Sequence, residues 1–122
     1  NRRTVTIIDT DVAGGTRVGL VAMVEVVALM IGDLAQRYSA ERYADPRPLI
    51  PGMFVRKGAP KSVFRPGSST TVLLFQPGRV RFDADLMAHA RRTDAHTDYS
   101  LAFGRQCIEV DVRVRSPIAV RA

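Results

Sequence analysis

Three Pro-Gly pairs, Pro51-Gly52, Pro66-Gly67 and Pro77-Gly78, punctuate the middle of this 122-residue chain. Proline fixes its own φ and glycine adopts the left-handed region freely, so each pair marks a tight turn. The segments between them are short, which favours strands over helices. Thr71 to Phe75 has the β-branched and apolar content of a strand, and Met53-Phe54-Val55 reads as a shorter one. Thr4 to Ile8 is a further strand, followed by a turn from Asp9 to Gly15 that breaks at Gly14-Gly15. Arg17 to Ile31 is almost continuously apolar, a pattern in which periodicity alone does not separate helix from strand. Its valines favour one or two buried strands, with Glu25 facing a polar pocket or sitting at a bend.

Asp33 to Pro51 carries Pro46, Pro48 and Pro51 in a polar setting and is expected to be a loop or excursion outside the core. Asp83 to Arg92 predicts a helix, with Asp83 as N-cap, Leu86, Met87 and Ala90 as an apolar stripe, and Arg91-Arg92 at the C-terminal end. Ile108 to Arg115 alternates strictly, with Ile108, Val110, Val112 and Val114 on one side and Glu109, Asp111, Arg113 and Arg115 on the other. That is the pattern of a half-buried strand. The expected fold class is mainly β (α+β), a compact β-sheet or barrel-sandwich-like domain with one helix near residues 83–92. Residues 1–122 fit a single domain.

Hydrophobic residues make up 46% of the chain and charged residues 25%, which supports a packed core and excludes a disordered chain. Eighteen Lys and Arg against twelve Asp and Glu give a net charge of +6. Most of the excess is arginine, which suits bidentate contacts with phosphate or carboxylate. A solvated basic surface is the plainer reading of the same numbers. The one cysteine, Cys107, excludes an internal disulfide and reads as a buried structural thiol. The longest apolar stretch, Val18 to Ile31, contains Glu25 and falls short of the ~20 residues of a membrane span. A cytoplasmic protein, in solution or peripheral to a membrane, is expected. The start at Asn1-Arg2-Arg3, without an initiator methionine, points to a fragment or processed product.

Gly67-Ser68-Ser69-Thr70 places hydroxyls beside a flexible peptide bond, directly after Pro66 and directly before a strand. A serine so placed can attack the carbonyl that precedes it. An N→O acyl shift yields an ester, and elimination leaves dehydroalanine. Hydration and loss of ammonia then leave a pyruvoyl group at a new N-terminus. Glycine next to the bond supplies the freedom that the attack needs, while a base and oxyanion donors supply the activation. Thr70 is positioned in sequence to orient the hydroxyl or to donate to the oxyanion. A pyruvoyl carbonyl condenses with an amine substrate and acts as an electron sink when carbon dioxide leaves. The plain reading of the tetrad is a polar turn before a strand.

The wider context is more specific. Lys57-Gly58, Phe64, Gly67-Ser68-Ser69-Thr70, Leu73-Leu74-Phe75, Pro77-Gly78 and Phe82-Asp83-Ala84-Asp85-Leu86 occur in the order seen in the C-terminal part of the phosphatidylserine decarboxylase family, which this chain resembles. Asn1-Arg2-Arg3 before a β run, and Val21-Ala22-Met23-Val24-Glu25-Val26, extend the resemblance over residues 1 to about 90. The resemblance implies a pyruvoyl-dependent carboxy-lyase that cuts itself before the motif serine. Aligned without a gap to the family's Gly-Gly-Ser-Thr form, Ser69 is the pyruvoyl precursor and the cut falls at 68/69; aligned to the Leu-Gly-Ser-Thr form, Ser68 is the precursor and the cut falls at 67/68. The gap-free alignment is preferred and the second stays open. Gly67 would be the hinge and Thr70 the positioning hydroxyl.

The resemblance also implies an amino-acid-type substrate, small or phospholipid, and contact with a membrane surface. An upstream segment would carry the activating histidine, so this chain would be the C-terminal portion of a larger decarboxylase. An oligomer is compatible with it. Two departures stand out: Ser68 occupies the place of the second glycine, and Ser62 stands where the family usually has glycine before the aromatic.

His89 and His96, with Asp94-Ala95-His96-Thr97-Asp98, lack a recognised ligand spacing and read as surface residues, so no metal is expected. A buried Glu25 would have a raised pKa and could shuttle protons, whereas a satisfied core glutamate is the plainer reading. Two other functions fit less well. One is a non-cleaving β-rich module of the same fold that binds an anionic ligand. The other is a basic nucleic-acid-binding domain, disfavoured because the chain has no Trp and few aromatics for base stacking; no nucleic-acid partner is expected.

Overall fold

The structure is a computed structural model that describes residues 2–27, 32–65, 69–95, 97, 102, 104 and 108–122. Its elements are β1 (Arg3–Asp9), β2 (Leu20–Val27), β3 (Leu34–Tyr38), β4 (Arg47–Pro48), β5 (Ser62–Phe64), β6 (Ser69–Phe75), β7 (Val80–Phe82), α1 (Ala84–Ala90) and β8 (Ala119–Arg121). The chain is therefore mainly β with one short helix, as the spacing of turns and β-branched runs predicts. The strands form sheets of order β1-β2-β6, β4-β3-β5 and β7-β8. Among the described residues no helix is long and apolar enough to cross a membrane.

Two compact units make up the chain, one of residues 1–8 and 21–74, the other of 9–20 and 75–122. In the first unit, Val21 and Val27 of β2 and Leu34 and Tyr38 of β3 form the buried apolar core. The ambiguous apolar run thus resolves as a strand over Leu20–Val27, its odd-numbered residues turned inward more than its even ones. Strand β1 is less regular in chemistry. Its apolar Val5 and Ile7 are 56% and 61% exposed, while Thr4, Thr6 and Ile8 are half-buried. Val72 and Leu74 of β6 are exposed as well.

Three sequence expectations are corrected. Asp33 to Pro51 is not merely an excursion. Strand β3 lies inside it, pairs antiparallel with β5 through Leu34–Phe64, Ala35–Val63 and Gln36–Ser62, and buries Leu34, Tyr38 and Ser39. The prolines that signal a loop fall after this strand, and Pro48 sits on β4, a two-residue edge strand where a missing N–H is tolerated. Met53-Phe54-Val55 is not a strand. Its chain ends in a turn at Pro51-Gly52 and a backbone bond from Arg56 to the Tyr38 hydroxyl at 3.1 Å. Ile108 to Arg115 is not a strand either, and Val112 and Val114 are exposed, Val114 by 91%. Alternation makes a strand only where a neighbour accepts its hydrogen bonds.

In the second unit, Thr10 and Gly19 close the turn between β1 and β2. The Thr10 hydroxyl donates to the Gly19 carbonyl at 2.7 Å and accepts from the Val18 N–H at 2.8 Å. Gly19 has φ +77°, and a Cβ there would lie 2.2 Å from Gln76 Oε1 and 2.7 Å from Arg79 Nε. Those two side chains hold the turn: Gln76 accepts from the Leu20 N–H and Arg79 pairs with Asp11. Helix α1 starts where predicted, because the Asp83 carboxylate accepts from the N–H groups of Asp85 and Leu86, each at 3.1 Å. It is shorter than the predicted span, and none of its residues is fully buried, so Leu86 and Met87 are only half-covered. The Asp83 N–H donates to the Ile118 carbonyl, adjoining the antiparallel β7-β8 ladder, and Phe75 meets Phe82 edge-on at 5.8 Å.

These assignments separate two substitutions. Leu34→Ala is expected to destabilise the protein by about 2–5 kcal/mol, because it empties a buried site, and Val114→Ala by less than about 0.5 kcal/mol. Urea unfolding measures both, and a Val114→Ala loss comparable to that of Leu34→Ala would restore the strand reading of 108–115.

Candidate functional site

The Gly-Ser-Ser-Thr segment lies at the junction of β5 and β6. Strand β5 ends at Phe64, Arg65 follows it, and β6 begins at Ser69. Pro66, Gly67 and Ser68 fall outside the described residues, as does the Ser69 side chain. The backbone of Ser69 opens β6, and Thr70, next along that strand, is exposed. His96 and Cys107 also lie outside the described residues, and His89 is exposed in the last turn of α1. Among the described residues no group of three or more His, Cys, Asp and Glu is placed to hold a metal ion.

A buried polar cluster lies on β2, β3 and the start of β5. Glu25 is 2% exposed. Its Oε2 accepts from Lys61 Nζ at 2.7 Å and from Gln36 Nε2 at 2.9 Å, and its Oε1 accepts from the Ser62 hydroxyl. The Lys61 ammonium also donates to Gln36 Oε1 at 2.7 Å. The β3-β5 register produces this arrangement by setting Gln36 directly opposite Ser62. Backbone bonds from Arg37 to the Lys61 carbonyl and from Ser39 to the Pro60 carbonyl hold the preceding residues against β3.

Burial pushes the Glu25 carboxyl upward, but hydrogen bonds from Lys61, Ser62 and Gln36, with the charge of Lys61, outweigh it and hold the pKa below its usual value. The sequence expectation of a raised pKa is thereby corrected. With both oxygens occupied and its charge neutralised, Glu25 is a satisfied core carboxylate and not a proton shuttle. Sequence reasoning flagged Glu25 but missed its partners, which lie 11 to 37 positions away. The available signal was physical: a carboxylate inside an apolar strand requires a cation and donors.

A second cluster flanks the other end of β5. The Arg65 N–H donates to the Asp33 carbonyl at 2.9 Å, and the Asp33 carboxylate pairs with Arg2 at 2.8 Å and with Arg65 at 3.4 Å. These side chains are substantially exposed, so the ion pairs add little stability by themselves. Together the two clusters flank a three-residue strand that ends at Phe64, with Arg65 and Pro66 between it and the tetrad in sequence.

The chain is β-rich, and its Gly-Ser-Ser-Thr segment falls in sequence between the end of β5 and the first residues of β6. The family model described as phosphatidylserine decarboxylase matches residues 1–98, and this chain belongs to that family. The phosphatidylserine decarboxylase proenzyme of Chlamydia trachomatis (serovar D, strain ATCC VR-885) is 43% identical over 90 residues, covering 74% of this chain and 25% of that protein. The proenzymes of Chlamydia felis and Chlamydia pneumoniae are 38% and 35% identical over 92 and 91 residues, again 75% of this chain and 25% of theirs. The chain thus spans about a quarter of the length of these relatives. No solved structure matches it significantly.

The Glu25 geometry sets a pH dependence. Its folded-state pKa lies below the ordinary value of 4.5, so its stabilisation is complete above that value and is lost as pH falls through the lower, folded one. Denaturation midpoints of the wild type should fall in that acid range, and those of Glu25→Gln should fall less steeply. Lys61→Met, which leaves Glu25 buried without its cation, should cost about 3–5 kcal/mol near neutral pH. Equal acid slopes for wild type and Glu25→Gln would contradict the assignment.

Proposed function

We propose that the full-length protein is a pyruvoyl-dependent decarboxylase of the phosphatidylserine decarboxylase type that makes its cofactor by cutting its own chain. The observation that carries this reading is the family match, whose span of residues 1–98 includes the tetrad between β5 and β6. Two features fit the chemistry. The segment between Arg65 and Ser69 is only three residues long, and the serine of the gap-free alignment is the first residue of β6, so cleavage before it leaves a strand with a free N-terminus.

In the processing step the Ser69 hydroxyl attacks the Ser68 carbonyl, with Ser68 as nucleophile toward Gly67 in the other alignment. The N–C bond gives way to an ester. Loss of the α-proton then breaks the Cβ–Oγ bond, and the upstream piece leaves as a carboxylate. Water replaces the imine nitrogen of the resulting dehydroalanine, which departs as ammonia. Thr70 orients the reacting hydroxyl, and Gly67 gives the bond its freedom. The base is an activating histidine with an acidic partner on an upstream segment, in keeping with a chain that spans a quarter of its relatives. The pyruvoyl group, once formed, supplies the electron sink for loss of carbon dioxide from an amino-acid headgroup.

The net charge of +6 and the exposed Val5, Ile7, Val72 and Leu74 support peripheral contact with an anionic, phospholipid-bearing surface at the cytoplasmic face.

The test combines serine variants with a lipid assay. Full-length protein supplied with phosphatidylserine vesicles is expected to release carbon dioxide, with binding that weakens as salt rises. Ser69→Ala is expected to abolish both cleavage and release, whereas Ser68→Ala is expected to retain both. The opposite pattern would move the cofactor to Ser68, and release of carbon dioxide by an uncut protein would overturn the reading.

A further inference from the structure

We infer that Glu25 and Lys61 are positioning residues for self-cleavage: by anchoring the start of β5 they set the geometry of the bond before the motif serine. The inference rests on the self-processing reading above.

Strand β5 is poorly held by its own backbone. It has three residues, it lies at the edge of the β4-β3-β5 sheet, and Val63 at its centre is 45% exposed. Ladder bonds on one side of so short a strand do not fix it alone. The buried cluster supplies the missing constraint. Lys61, just before β5, and Ser62, its first residue, both donate into the Glu25 carboxylate, and Lys61 reaches Gln36 on β3 as well. Asp33 holds Arg65 at the far end through both backbone and side chain.

The sequence distance then matters. Three residues separate Arg65 from Ser69, and such a link of four Cα steps reaches at most ~14 Å, so where β5 ends bounds where the bond before Ser69 lies. Intramolecular attack by a hydroxyl on the neighbouring carbonyl needs close alignment, and a displacement of ~1 Å costs on the order of 100-fold in rate. Lys61 does not itself serve as the base, because its ammonium is engaged by Glu25 and Gln36. Ser62 gains a role here too: its hydroxyl completes the cluster at the position where glycine was expected.

The experiment follows cleavage of freshly made full-length precursor by gel and intact mass, alongside the melting temperature of each variant. Lys61→Met is expected to slow cleavage at least about tenfold, and Lys61→Arg, which keeps the charge and the donors, to restore it to within about threefold of wild type. Ser62→Ala removes one hydrogen bond, leaves the ion pair in place and melts close to wild type; it is expected to slow cleavage about two- to fivefold, and it decides the matter if Lys61→Met does not fold. Folded variants that cleave at the wild-type rate would overturn the inference while leaving self-processing intact. A wild-type protein that never cleaves would overturn both.

Discussion

The ion pair between Glu25 and Lys61 is the constraint on which the first unit depends. A carboxylate on a strand otherwise made of leucine, valine, methionine and alanine is unfavourable unless its charge is matched and its lone pairs are filled. Here three side chains fill them, and each comes from a different place in the sequence: Gln36 from β3, Lys61 from the approach to β5, and Ser62 from β5 itself. The pair therefore specifies which segments lie side by side more than it adds net stability. Breaking it leaves a buried charge alone, a large cost, whereas replacing it wholesale with apolar groups need not destabilise the fold.

That specification bears on the chemistry attributed to the family. The serine of the proposed cut opens β6, a few residues beyond the end of β5. Self-cleavage needs no substrate to bring the reacting groups together; the fold itself must do so. Ser62, where the resemblance leads one to expect glycine, is accommodated because its hydroxyl donates to Glu25. Nothing in the described residues explains the other departure, Ser68.

What was legible in the sequence was local. Asp83 announces α1 because an N-cap acts on the next few residues. Pro77-Gly78 and Pro51-Gly52 announce turns because their φ preferences are their own, and both glycines do take positive φ. Strands β1, β2 and β6 follow from β-branched and apolar runs. What was not legible depends on partners. The 34–38 strand was obscured by the prolines that follow it, although Leu34 and Tyr38 carry part of the core. The alternation of 108–115 looks decisive and makes no strand. Glu25 stood out as an anomaly, but its pKa direction depended on a lysine 36 positions away, so burial alone gave the wrong sign. For the candidate site, the ordered motifs identified the family and the place of the tetrad, while the clusters that flank it emerged only in three dimensions.

The most direct test of the account is the intact mass of the full-length protein under denaturing conditions, before and after treatment with a carbonyl reagent. The account predicts two pieces, the smaller beginning at residue 69 and carrying a reagent-reactive carbonyl in place of its amino group. A single uncut chain of unchanged mass, with no uptake of reagent after long incubation, would contradict it.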